Sequence, residues 1–256
     1  MLPNPWNPGT ARYLQHLEFK ALATTSAGFA FNRGMPDGAI PREEMLAHIR
    51  EVVAATPLPV NADFLNGFAD PPAGVADNTA RCVATGVAGL SIEDSTGNNA
   101  APLYKKPLAV ERIQAARQAI DASGLPVVLT GRCEAFLVGQ PDALRVVLDR
   151  LVAYAEAGAD CLYAPGVAEP AAIAEIVGSV APRPVNVLVS GFNSQLSLAC
   201  LADLGVRRIS VGSALALTAW GAFARAARDI AAAGKFDGLA GGAPFAELQA
   251  LFAARS

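Results

Sequence analysis

The chain is 256 residues long, 52% hydrophobic and 17% charged, with a formal net charge of −3. That composition fills a large core and leaves little material for a disordered region. Without clustered Lys and Arg there is no field for nucleic acid or an anionic membrane, so the expected partner is a small neutral or anionic metabolite.

The length is that of one α/β barrel, and a single domain over 1–256 is expected, with 214–256 as its carboxyl-terminal helical part. Cys82, Cys133, Cys161 and Cys200 are scattered without a Cys-x-x-Cys pair, which predicts free buried thiols. Met1 to Trp6 has neither the basic segment nor the apolar run of a signal peptide, and a cytoplasmic location is expected. The uncharged stretch Ile209 to Ala224 is interrupted by Gly212, Ser213, Thr218 and Gly221, so it reads as a strand entering a buried helix and not as a membrane span.

In chain order, Leu2 to Trp6 offers a short first strand, weakened by Pro3 and Pro5, before a helix from Thr10 to Leu17. Seven further apolar runs are predicted strands: Ala21 to Ser26, Pro59 to Asp63, Gly89 to Asp94, Pro126 to Arg132, Cys161 to Pro165, Pro184 to Val189 and Arg207 to Ser213. Between them, Pro41 to Ala55, Val75 to Gly86, Ala109 to Ser123, Pro141 to Gly158, Pro170 to Val180 and Ser194 to Gly205 carry helical spacing. Such alternation requires right-handed crossovers and a parallel sheet, either an open doubly wound sheet or a closed barrel. An apolar helix from Ala214 to Ala233 follows, then Gly-rich Gly234 to Gly242 and a helix from Pro244 to Ala254. Trp220, Phe223 and Ile230 make that apolar helix a candidate subunit contact.

Polar residues gather where the strands end. Asp63 closes the second of the seven runs, and Glu93 with Asp94 closes the third. Hard divalent cations take oxygen ligands, and Mg²⁺ usually needs only one or two carboxylates plus water, so Asp63 and Glu93 could form such a site. Acids at these junctions also cap helices, and either role satisfies the pattern. Arg132 in Thr130-Gly131-Arg132-Cys133-Glu134 puts a guanidinium at another strand end, to grip a carboxylate or to pair internally with Glu134 or Glu93. Ser26, Ala27 and Gly28 are small enough for a substrate oxygen to approach the backbone N–H groups, or simply form a tight turn.

Taken together, Ala21 to Ala30, Val60 to Phe68, Ile92-Glu93-Asp94, the Arg-x-Glu-Ala strand end at Arg132 and Tyr-Ala-Glu-Ala-Gly-Ala-Asp at 154–160 resemble the isocitrate lyase and phosphoenolpyruvate mutase superfamily over nearly the whole chain. The resemblance implies a (β/α)8 TIM-type barrel that holds Mg²⁺ or Mn²⁺ and a small 2-oxo carboxylate or its enolate. It also implies a homodimer or homotetramer in which the carboxyl-terminal helix is exchanged between subunits. On that likeness Asp63, Glu93 and Asn61 are the metal-linked residues, Arg132, Glu93 and Asp37 the catalytic set, and Ser26, Ala27, Gly28, Arg132 and Asn186 the substrate contacts.

Departures narrow the activity. Asn61 stands where many members carry the first acid of Asp-x-Asp, and Asn7 replaces a commoner Asp. The connection Ser95 to Lys106 lacks the Lys-x-Cys-Gly-His sequence that supplies the cysteine of isocitrate and methylisocitrate lyases. The expected reaction is C–C lysis or decarboxylation next to a 2-oxo acid. The alternatives are phosphonomutase or phosphonopyruvate hydrolase chemistry, or a barrel that binds a 2-oxo acid without turnover. Ser95 to Lys106 is expected to be a mobile lid, with Tyr104, Lys105 and Lys106 as candidate proton donors.

Overall fold

The computed structural model describes residues 1–253. All seven expected strands are present, each paired in parallel with the next: β1 (Leu22–Ala23), β2 (Val60–Asp63), β3 (Gly89–Glu93), β4 (Val128–Arg132), β5 (Cys161–Tyr163), β6 (Val185–Leu188) and β7 (Arg208–Ser210). Pro59 and Pro184 stand one residue ahead of β2 and β6, where the missing N–H removes no ladder bond.

Residues 2–4 close the gap between β7 and β1. The Leu2 N–H donates to Ile209 O (2.7 Å), and the Ala23 N–H donates to Pro3 O (3.1 Å). Pro3 and Pro5 have no N–H to offer, and the Asn4 side chain makes up the deficit. Its Oδ1 accepts from the Val211 and Gly212 N–H groups, both at 2.9 Å, and its Nδ2 donates to Thr24 O at 2.8 Å. The first strand expected at Leu2 to Trp6 is therefore reduced to a single parallel bridge, Leu2 to Ser210, reinforced by one carboxamide.

The helices around this barrel are α1 (Pro8–His16), α2 (Ser26–Asn32), α3 (Arg42–Ala54), α4 (Pro72–Val83), α5 (Lys106–Ser123), α6 (Ala143–Glu156), α7 (Pro170–Val180), α8 (Leu198–Asp203), α9 (Ala214–Ala233) and α10 (Phe245–Ala253). Asn7 is the N-cap of α1: its Oδ1 accepts from the Thr10 N–H (2.8 Å), and the Thr10 hydroxyl oxygen accepts from the Asn7 N–H (3.2 Å). Ser26, Ala27 and Gly28, expected as a substrate-contact loop or a tight turn, begin helix α2, which Thr25 caps by accepting from the Gly28 N–H (3.2 Å). The last expected helix ended at Ala254, which lies with residues 255–256 outside the described residues.

Along each strand the side chains alternate. Leu90, Ile92, Leu129, Leu162, Val187 and Ile209 point outward and are buried in the apolar layer against the helices. Asn61, Ser91, Thr130, Asn186, Arg208 and Ser210 alternate with them and face the lumen. Helix α9 behaves differently. Only Ala216 of its residues is buried, while Leu217, Trp220 and Phe223 are exposed. Among the described residues no helix is long and apolar enough to cross a membrane.

One buried histidine reports on the packing of α3. His48 stacks on Phe29 with ring centroids 3.8 Å apart, and its Nε2 has no hydrogen-bond partner among the described residues. Burial lowers its pKa from 6.5 to about 4. The folded state therefore keeps His48 neutral while the unfolded chain takes up a proton below pH 6.5. Stability is unaffected by this group above pH 6.5 and declines as pH falls toward 4, by about 1.4 kcal/mol per unit. Urea unfolding of His48→Phe across pH 4–7 should show a shallower pH dependence than the wild type, and parallel curves would refute the assignment.

Candidate active site

The site grows from three neighbouring strand ends. Asp63 closes β2, and α2 fixes it: the Ser26 N–H and Oγ–H both donate to Asp63 Oδ2, at 2.9 and 2.8 Å. The Asp63 N–H donates to Thr24 Oγ1 (2.8 Å), so β1 positions the same residue. Arg132 closes β4 and lies between acids. Its Nη1 is 3.2 Å from Asp63 Oδ1 and 3.3 Å from Glu93 Oε2, and its Nε donates to Glu134 Oε1 at 2.5 Å. The guanidinium also sits 5.3 Å from the Tyr163 ring centroid. Asp37, on the connection between α2 and α3, completes the rim.

Four carboxylates thus face one guanidinium. Burial pushes the Glu93 carboxyl well above its usual range, Arg132 opposes the shift, and Glu134, Asp63 and Asp37 reinforce it. Glu134 is raised by burial against the pull of Arg132. Asp37 is raised by its partial enclosure and by Asp63, with Arg132 and the Gly38 N–H pulling the other way. Burial works against the Arg132 charge, yet Glu134, Glu93 and Asp63 outweigh it and keep the guanidinium protonated. Burial lifts the Tyr163 phenol to about 12, so it retains its proton through neutral pH.

Asp37, Asp63, Asn61, Arg132, Ser26, Ala27 and Asn186 line one cavity of about 170 Å³, whereas Glu93 is not among its lining residues and pairs with Arg132 at 3.3 Å. Several expected roles change. Gly28 is outside the cavity: its N–H serves the Thr25 cap, and a Cβ there would meet Thr25, Ala216 and Trp6. The Ser26 N–H is occupied by Asp63, which leaves Ala27 as the member of that turn open to a ligand. Asn61 lies two residues below Asp63 on the same face, and its Oδ1 points to Arg208 Nη1 (3.4 Å) instead of joining the acids. Arg132 is held by three internal acids through Nε and Nη1, and it lines the cavity.

The expected lid also shrinks. Tyr104 is buried, donates its hydroxyl proton to Asp70 and stacks beneath Arg112 at 4.0 Å, while Lys106 pairs with Asp149 at 2.7 Å. Ser95 bridges Leu103, so the exposed part of this connection is the turn between them. Neither Tyr104 nor Lys106 reaches the cavity.

Residues 1–231 match the family described as phosphoenolpyruvate phosphomutase. The chain belongs to the isocitrate lyase and phosphoenolpyruvate mutase superfamily. A crystal structure of a putative lyase/mutase from Burkholderia cenocepacia J2315 superimposes with a TM-score of 0.94 at 48% identity, covering 99% of this chain and 90% of that one. An uncharacterised protein of Mycobacterium tuberculosis H37Rv is 34% identical over 98% of this chain and 90% of its own length. The 2-methylisocitrate lyase of Salmonella typhimurium LT2 is 32% identical over 64% of this chain and 56% of its own. Relatives in this superfamily are lyases and mutases, and the chain is an enzyme of that kind.

Superfamily members are typically Mg²⁺-dependent, and the donors present suit a hard cation. All are carboxylate oxygens, and buried Glu93 Oε2, 3.3 Å from Arg132 Nη1, makes no hydrogen bond among the described residues. No three such side chains there form a ready-made metal cluster, which excludes an all-protein cage but suits an ion that keeps several waters. Sequence reasoning missed Tyr163 and Arg208, which also line the cavity. For Arg208 the signal was weak, because it follows Arg207 and only alternation with buried Ile209 marks it as facing the lumen. Because Arg132 neutralises buried acids, Arg132→Met should destabilise the fold by about 3–5 kcal/mol, measurable by urea unfolding. A loss under 1 kcal/mol would mean the pairs are solvent-screened.

Proposed function

We propose that this enzyme is a divalent-cation-dependent lyase that cleaves a C–C bond, or decarboxylates, next to the carbonyl of a small 2-oxo acid or its hydroxy precursor. The observation that carries this reading is the surplus of carboxylates over guanidinium at the mouth, beside a cavity sized for a small metabolite. Asp63 and Glu93 would hold Mg²⁺ or Mn²⁺, with Asp37 on the rim. The cation supplies Lewis-acid stabilisation for the negative charge that develops on the oxo oxygen as the bond breaks.

The chain's own residues do the rest. Arg132 holds the acids in place, and Ser26 fixes the Asp63 carboxylate. The Ala27 N–H, in the first turn of α2, has no intrahelical acceptor and can receive a substrate oxygen. Tyr163 keeps its proton at neutral pH and lines the cavity, which makes it the donor to the carbanionic carbon of the departing product.

A second reading, P–C bond chemistry on a phosphonate, is favoured by the description of the matched family. The two are separated by assaying pyruvate release from oxaloacetate and 2-substituted malates, and phosphate release from phosphonopyruvate, with and without Mg²⁺. Mg²⁺-dependent pyruvate release from the carbon substrates alone is the expected result. Glu93→Gln and Tyr163→Phe should each lower turnover roughly a hundredfold, about 2.7 kcal/mol at 1.4 per factor of ten. Phosphate release as the dominant activity, or full turnover in EDTA, would sink the proposal.

The same reading includes a homodimer or homotetramer assembled over α9, whose exposed Trp220 and Phe223 meet edge to face at 5.5 Å. Sedimentation at micromolar concentration should give a dimer or larger, and Trp220→Glu should shift it toward monomer. A wild-type monomer would remove this part.

A further inference from the structure

The amino ends of the strands enclose a second cavity, of about 330 Å³ against about 170 Å³ at the mouth. Its origin lies in the sequence. A barrel lumen is normally filled by layers of bulky branched side chains. Here the lowest lumen positions are Gly89 on β3, Val128 on β4 and Cys161 on β5, with Ala88 just ahead of β3. A larger residue at 89 would not fit, because its Cβ would stand 2.9 Å from Asn61 Oδ1 and 3.0 Å from Val128 O. With glycine opposite it in the ladder, Val128 keeps 40% of its surface exposed inside a paired strand.

The charges around this recess give it a ligand class. Two arginines line it: Arg207, just ahead of β7, and Arg208, the first residue of that strand. Arg208 is half-buried, and its printed partners Asn186, Asn61 and Thr130 are all neutral. Arg207 is exposed, and its guanidinium has no hydrogen bond or ion pair among the described residues. Among the described residues no Asp or Glu lines the cavity, whereas the mouth combines Asp37 and Asp63 with Arg132. A recess of this size with a mostly apolar wall and a few charged groups has the form of a small-molecule site.

We propose that this cavity is a second ligand site, separate from the mouth, for a monocarboxylate with a short alkyl tail. The carboxylate meets the Arg207 guanidinium with the charge of Arg208 beside it, and the tail displaces water from Val128, Pro59 and Pro184. A small anion without a tail would leave that aliphatic wall wet, and an uncharged hydrocarbon would leave the arginines unanswered. Asn61 and Arg208 line both cavities, so the two sites share a wall.

The test is calorimetric titration of the full chain with butanoate, hexanoate and hexan-1-ol. Each buried methylene is worth about 0.8 kcal/mol, or roughly fourfold, so hexanoate should bind on the order of tenfold more tightly than butanoate. Hexan-1-ol should bind roughly tenfold more weakly than hexanoate. Arg207→Met, at an exposed position, should weaken hexanoate about tenfold and leave hexan-1-ol unchanged. Val128→Glu places an acid in the recess and should abolish hexanoate binding. Asp37→Asn, which alters the mouth alone, should leave hexanoate affinity as in the wild type. Equal affinity for butanoate and hexanoate, no hexanoate binding, full affinity in a folded Arg207→Met, or loss of hexanoate in Asp37→Asn would each overturn the site. The reaction proposed at the mouth stands in every one of these cases.

Discussion

Three carboxylates from the ends of β2, β3 and the turn after β4 meet one guanidinium, and the rest of the mouth is arranged around that contact. Arg132 can serve all three because its fork presents donors in different directions from one plane. It offsets only part of their charge. Burial raises Glu93 and Glu134 against the pull of Arg132, and the neighbouring acids add to the rise.

The period of two in a β-strand decides which acids belong to the mouth. Glu93 and Asp94 are adjacent, so one must face the lumen and the other the helices. Asp94 takes the outer position, where Oδ2 accepts from Arg150 Nη1 (2.9 Å) and the Tyr154 hydroxyl (2.6 Å), and Oδ1 accepts from the Glu134 N–H (2.8 Å). Arg150 also donates to Tyr104 O at 2.8 Å, which ties the end of the β3 connection to α6. The outer acid therefore sets the position of Glu134, which in turn holds Arg132. Asp160 has a comparable supporting role, accepting from the Leu129 N–H and from Arg117.

The βα alternation made the barrel legible in the sequence, because each strand is an apolar run bounded by Pro, Gly or acid and each helix has its own period. The positions of Asp63, Glu93 and Arg132 around one mouth also followed, since parallel strands send all their carboxyl ends to the same face, whereas Asp37, between α2 and α3, was expected only from the resemblance to the superfamily. What was not legible depended on distances across the lumen. Asn61 matched a metal-linked position by resemblance to the superfamily, yet the long side chain of Arg208 on β7, five strands farther along the chain, claims its oxygen. Gly28 looked like a ligand-contact glycine, but its use is to let α2 pack against Ala216 and Trp6. The polar Ser95 to Lys106 stretch suggested one mobile lid, and only the partners of Tyr104 and Lys106 reveal where it is pinned.

The interior of this barrel is unlike a lumen filled by Val, Ile and Leu layers. Asn61, Ser91, Thr130, Asn186, Arg208 and Ser210 occupy those layers, and the apolar residues that hold the fold together lie outside, between the strands and the helices. Each lumen group must then be paired or solvated, which is why Asn186, Thr130 and Asn61 converge on Arg208. An apolar filling would be the more stable choice, since buried charges rarely improve on hydrophobic residues of similar volume. Stability is supplied instead by the outer shell, where Leu90, Ile92, Leu129 and Leu162 are almost wholly buried. That separation frees the lumen to carry polar groups at two depths, acids at the mouth and the Arg208 network beneath.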